Sequence, residues 1–161
     1  MKYEDFDRTF KSQTTNLSWE KQLSLSVSIC KKLFYDYQKF SERNDWGDPD
    51  LLLDAINLAE KSLSHNRDMT AVTALLQKVN EITPDTEDFV DASYALNACT
   101  AVYETLEFTV DSDPTHIYNI GRYLTDTIDF KIRESDHLTQ DQIDKHPLMI
   151  ETRQYLIEAT R

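Results

Sequence analysis

The chain has 161 residues and a formal net charge of −12 at pH 7, from 29 acidic and 17 basic side chains. So negative a surface repels phosphate backbones and anionic lipid, which sets nucleic acid and membranes aside as expected partners. Only Gly47 and Gly121 break the chain, too few and too far apart for a glycine-rich phosphate loop, and a 40% apolar composition at this length is enough for one folded domain over 1–161.

The first ten residues carry Glu4, Asp5 and Asp7 and no apolar run, so they do not read as a signal peptide. Tyr3, Phe6 and Phe10 instead give a short amphipathic start that docks as a helix. From Ser18 to about Phe40, Trp19, Leu23, Val27, Cys30, Phe34 and Tyr37 recur at helical spacing. Strict alternation at Leu23, Leu25, Val27 and Ile29 is a rival strand signal. Helix is preferred because KKLFYDYQKF, which follows, offers neither Gly nor Pro for a turn. Leu25, Ile29 and Leu33 then make a second apolar stripe beside the first.

Further helices are expected over about Pro49–Leu63, Thr70–Ile82, Asp85–Thr109, Pro114–Ile132 and Pro147–Thr160. Asp48-Pro49, Thr83-Pro84 and Asp113-Pro114 each read as an N-cap followed by proline at the first helical position. Thr139 to Gln142 fits a capping box, and His146-Pro147 marks a further start. The Asp85–Thr109 piece carries a near-heptad seam on Phe89, Ala92, Leu96, Cys99, Tyr103 and Leu106, whose natural partner is the Trp19–Tyr37 face. The polar stretch Glu134–His146 reads as loop with a short helical turn. The expected fold is therefore all-α: one compact helical bundle of about six or seven helices.

Charge is uneven. Residues 1–82 hold 13 acids and 11 bases, residues 83–144 hold 14 and 3, and residues 145–161 hold 2 and 3. Cys30 and Cys99 lie far apart inside apolar segments and read as buried free thiols of a reducing cytosol, a disulfide between them being the alternative. No run of about 18 apolar residues exists to cross a membrane.

Three stretches, SWEKQLSLSVSICKKLFYDYQKF from Ser18, WGDPDLL from Trp46 and TPDTEDFVDASYALNACTAVYETL from Thr83, resemble the YjaG-like family of bacterial proteins (domain of unknown function 416). The matching features are Trp19, Cys30, Tyr37, Gly47-Asp48, Asp88-Phe89, Ala98-Cys99 and Glu104. Asn97 stands where the family pattern tends to carry an acid. The resemblance implies an all-helical, cytoplasmic protein and brings no catalytic residues with it.

The residues offer two function classes. The preferred one is a protein-binding or self-associating module without catalysis or cofactor. Its candidate partner contacts are Tyr35 and Trp46, in a cluster with Phe34, Tyr37 and Phe40. If the second stripe of the first long helix is not covered within the monomer, a homodimer forms through the first half of the chain. The acidic half then faces solvent or a basic partner. The alternative is a metal- or small-molecule-binding helical enzyme using clustered carboxylates. Asp88 with Asp91, and Glu104 with Glu107, lie at i, i+3 spacing and share a helix side. Their plainer reading is a solvated outer face. Glu134 with His137 supplies one Glu-x-x-His spacing, Asp113 with His116 a looser one, and a di-iron bundle needs two.

Overall fold

The computed structural model describes residues 1–64 and 66–161, so His65 lies outside the described residues. Among them are eight α-helices, one 3-10 turn and no strand: α1 Tyr3–Asn16, α2 Trp19–Asn44, α3 Pro49–Lys61, α4 Met69–Glu81, α5 Ala92–Asp111, α6 Thr115–Arg133, α7 Gln140–Asp144 and α8 Pro147–Ala159.

The stretch with competing periods is wholly helical, and its burial explains the ambiguity. Leu23, Leu25, Val27, Ile29, Cys30 and Leu33 are all buried, because α2 runs through the middle of the bundle with neighbours on several sides. A helix buried nearly all round has apolar residues at every spacing, including two. Ser18 caps it through Lys21 N–H, and Asp45 ends it in the left-handed conformation. Leu25, Ile29 and Leu33 are covered within the monomer. The apolar remainder from which a first-half dimer was expected does not arise.

As expected, α2 pairs most extensively with α5, and α5 packs next on α6. Cys30 faces Thr105 at 3.2 Å in that contact. Both cysteines are free and buried, and burial pushes each thiol up to about 12. The α5 seam is wider than the heptad reading: Ala95, Ala98, Ala101, Val102, Thr105 and Phe108 are buried as well, while Leu96 and Tyr103 are only half-buried. Small side chains let α2 approach closely, so alanine spacing, not only bulky residues, defines this interface.

Helix α5 starts at Ala92, eight residues later than the Thr83-Pro84 signal implies. The Thr83 hydroxyl donates back to Val79 O at 2.7 Å, and Asp85 accepts the Glu87 N–H at 2.9 Å. Both side chains satisfy local backbone in a turn rather than cap a helix. Asp48, Thr139 and His146 cap α3, α7 and α8 as read, Thr139 with the full capping box. Asp113 accepts the Thr115 N–H in a turn, but the N-cap of α6 is Pro114 and not Asp113 as read, so the helix begins one residue later, at Thr115.

Two glycines mark close approaches. Gly47 has φ +89°, and a Cβ there would run into the Tyr37 hydroxyl. That hydroxyl donates to Ile82 O at 2.8 Å and accepts the Asp48 N–H at 3.1 Å, fastening the α2–α3 loop to the end of α4. Gly121 on α6 leaves room for the Phe10 ring of α1. The sequence features shared with the YjaG-like pattern are thus largely packing devices. Trp19 stacks on Phe108 at 6.0 Å, with the Arg67 guanidinium 4.3 Å from its ring centre.

The chain ends meet at Arg153. It is buried on α8, with Nη2 on Asp144 at 2.9 Å and Nη1 donating to Met1 O at 2.9 Å. Asp144 also accepts from Gln140 and from the Tyr3 N–H. Those hydrogen bonds outweigh burial and hold its carboxyl below the usual aspartate value.

Candidate functional site

Helix α5 ends where Ser112 adopts φ +57° and its N–H closes on Phe108 O at 2.9 Å. Asp111 accepts the Asp113 N–H at 2.8 Å, completing a short reversal into α6. In an antiparallel helical hairpin, residues equally distant from the reversal face each other. Glu107 therefore meets His116, and Glu104 meets Asn119, about a centre between Asp111 and Ser112.

Glu104 is buried, contrary to the solvated face expected for it; its residue is 8% exposed. Its Oε1 lies 3.0 Å from His116 Nδ1 and accepts from Asn119 Nδ2 at 2.9 Å. Glu104 Oε2 is buried without a well-formed hydrogen bond, although the Tyr123 hydroxyl acts on the same carboxylate as a donor. Glu107 Oε2 lies 3.6 Å from the same His116 Nδ1, and Asp111 Oδ2 lies 2.8 Å from His116 Nε2. One ligand atom each of Glu104, Glu107 and His116 fall within 4.8 Å of one another, and among the described residues no other group of His, Cys, Asp and Glu converges so closely.

The electrostatics follow from three acids around one imidazole. Burial opposes the charge on His116, but the hydrogen bonds and charges of Asp111 and Glu104 prevail and raise its pKa above 6.5. Glu107 is raised, first by burial and then by the like charges of Glu104 and Asp111, with His116 pulling the other way. Burial and the Glu104 carboxylate likewise raise Tyr123, whose hydroxyl belongs to the same cluster. With His116 charged and the carboxylates ionised, the cluster still carries two uncompensated negative charges.

The other candidates separate. Asp88 is exposed in the turn before α5, and Asp91 binds Arg43 at 3.3 Å and Asn44, so the expected helical pair does not form. Trp46 is half-buried against Phe40 and Phe89 and belongs to the core edge. Tyr35 is exposed, with Lys39 Nζ 4.5 Å from its ring centre. Glu134 binds the Tyr94 hydroxyl while His137 stands exposed in a loop. Asn97, the departure from the family pattern, donates to Thr127 at 3.0 Å and ties α5 to α6. His116 was visible in the sequence only at a helix start, in a loose Asp-x-x-His spacing with Asp113, and not as a partner of Glu104. The signal that finds it is the hairpin symmetry across a short connection.

Fold and cluster define an all-helical protein with a buried carboxylate–imidazole group at one helical hairpin. The chain belongs to the DUF416 family, a protein family of unknown function, whose model matches residues 9–159. The fold is similar to the crystal structure of a DUF416 family protein from Shewanella baltica OS155 at 1.91 Å resolution. That similarity has a TM-score of 0.82 at 23% identity, covering 94% of this chain and 83% of that one. No curated protein matches the chain. No helix among the described residues is long and apolar enough to cross a membrane.

Proposed function

We propose that this protein binds a divalent transition-metal ion through Glu104, Glu107 and His116. The observation that carries the reading is the convergence of ligand atoms of Glu104, Glu107 and His116 within 4.8 Å, around a buried Glu104 carboxylate in a cluster with excess negative charge. A buried carboxylate in a cluster short of positive charge costs stability, and a cation held by the cluster offsets that cost. Two carboxylates and one imidazole suit zinc, manganese or iron better than an all-oxygen calcium shell or a soft thiolate set. Asp111 on the far nitrogen of His116 supplies the carboxylate that typically orients a metal-bound histidine. Three protein donors leave room for water or a small molecule, the arrangement used where a bound metal does chemistry, which supports the enzyme alternative. The charge of −12 supports a protein without nucleic-acid or membrane partners, and the two free buried thiols support a reducing, cytoplasmic setting.

Metal analysis and thermal unfolding of protein purified without a histidine tag test the reading. About one zinc, manganese or iron per chain and a raised midpoint are expected, both lost in the isosteric Glu104→Gln variant. No retained metal after loading, or retention unchanged by Glu104→Gln, overturns it.

A further inference from the structure

We infer that the groove between the start of α5 and the end of α6 docks a basic segment of another protein that carries an aliphatic anchor residue. The turn before α5 sends its two apolar side chains opposite ways. Phe89 goes inward, its ring centre 5.2 Å from that of Phe40 and 5.3 Å from that of Trp46. Val90, the next residue, is left fully exposed. On α6, Phe130 is 44% exposed. These two residues and Tyr94 wall one hollow of about 500 Å³, rimmed by Arg43, Arg133 and Glu134. Single exposed apolar residues are ordinary, but apolar and aromatic side chains gathered in one hollow inside a polar rim mark an interaction surface.

Charge selects the occupant. Both arginines of the rim are neutralised within the chain. Arg43 pairs with Asp91 at 3.3 Å, and Arg133 pairs with Asp129, whose two oxygens each lie 3.0 Å from its Nε. The acids are not neutralised. Glu87 and Asp88 are exposed three and two residues before Val90, within about 11 Å of it along the chain. Glu134 accepts the Tyr94 hydroxyl, a neutral donor. Among the described residues none of Glu87, Asp88 and Glu134 forms an ion pair. The groove therefore presents an apolar centre with surplus carboxylates, complementary to lysine or arginine flanking an aliphatic side chain. A second copy of this chain would set the same unpaired acids against one another, and anionic lipid and nucleic acid are repelled. This inference is independent of the metal site, which lies at the far end of the 20-residue α5, about 30 Å away.

Fluorescence anisotropy of the full chain with a labelled lysine-rich peptide bearing one central leucine tests it, at about 0.15 M salt, where screening confines charge effects to about 8 Å. The leucine peptide binds about tenfold tighter, or more, than the same peptide with serine at the centre, since the anchor buries an aliphatic side chain. Val90→Ser combined with Phe130→Ser abolishes that preference. Val90→Ser alone, at a fully exposed position, reduces it even where the double variant fails to fold. Glu87→Lys weakens the leucine peptide about threefold or more, while Glu158→Lys on α8, the same change in net charge, leaves its affinity nearly unchanged. No binding, equal binding of the two peptides, a leucine preference untouched by Val90→Ser, or equal weakening by the two lysine variants overturns the inference.

Discussion

Two buried polar groups hold this protein, and they differ in charge balance. At the α1–α8 seam one Arg153 faces one Asp144, with Met1 O and the Tyr3 N–H as further partners, while Arg153 Nε is buried without one. The Arg153 guanidinium also lies 5.5 Å from the Phe6 ring centre. That cluster is electrically closed and ties the two ends of the chain together. At the α5–α6 reversal three acids surround one histidine, so positive charge falls short of negative. The first arrangement is what stability alone requires. The second is short of positive charge, and the proposed cation rests on that imbalance.

The comparison is broken most forcefully at Arg153. Arg153→Met leaves Asp144 buried and unpaired, and a loss of about 3–5 kcal/mol in urea unfolding is expected. A loss within error would mean that the seam is not a closed structural pair. Metal acts on the other cluster. Zinc or manganese at a hundred times its dissociation constant adds about 2.7 kcal/mol to the wild type, read as a rise of about 5–10 °C in the unfolding midpoint, and adds nothing to Glu104→Gln.

Acid sharpens the contrast. The Asp144 carboxyl is held below its ordinary 3.8, so its contribution is complete above that value and is lost as pH falls through the lowered one. Urea midpoints followed downward from about pH 5 should fall in the wild type and fall less in Arg153→Met. The smallest effect is expected at Glu107, whose ionised form is disfavoured by burial and by neighbouring acids. Glu107→Gln should raise metal-free stability by about 0.5 kcal/mol or less, since the residue is partly exposed, while weakening metal binding. A clear loss of metal-free stability would show that Glu107 serves the fold.

The helices were legible because apolar spacing and caps agree at most of them. Asp48, Thr139 and His146 cap where their sequence contexts say they should. The misplaced start of α5 has a local cause: Thr83 and Asp85 are good caps that here serve a turn. The site was half legible. Glu104 and Glu107 stood out by spacing, but burial is a property of the neighbour that covers a residue, and α6 covers Glu104 only after the chain reverses at Ser112. His116 looked like part of a helix start because its partners lie on the preceding helix. The second stripe on α2, Leu25, Ile29 and Leu33, is buried for the same reason, since several helices share the task of covering it.

Cobalt substitution tests the central claim most directly, because its visible absorption reports the donors around the ion. Titration of untagged, metal-free protein with Co²⁺ should develop ligand-field bands saturating at about one equivalent, displaced by Zn²⁺ and absent in Glu104→Gln. A spectrum that stays that of aqueous cobalt throughout the titration, or bands that persist in Glu104→Gln, would contradict the account.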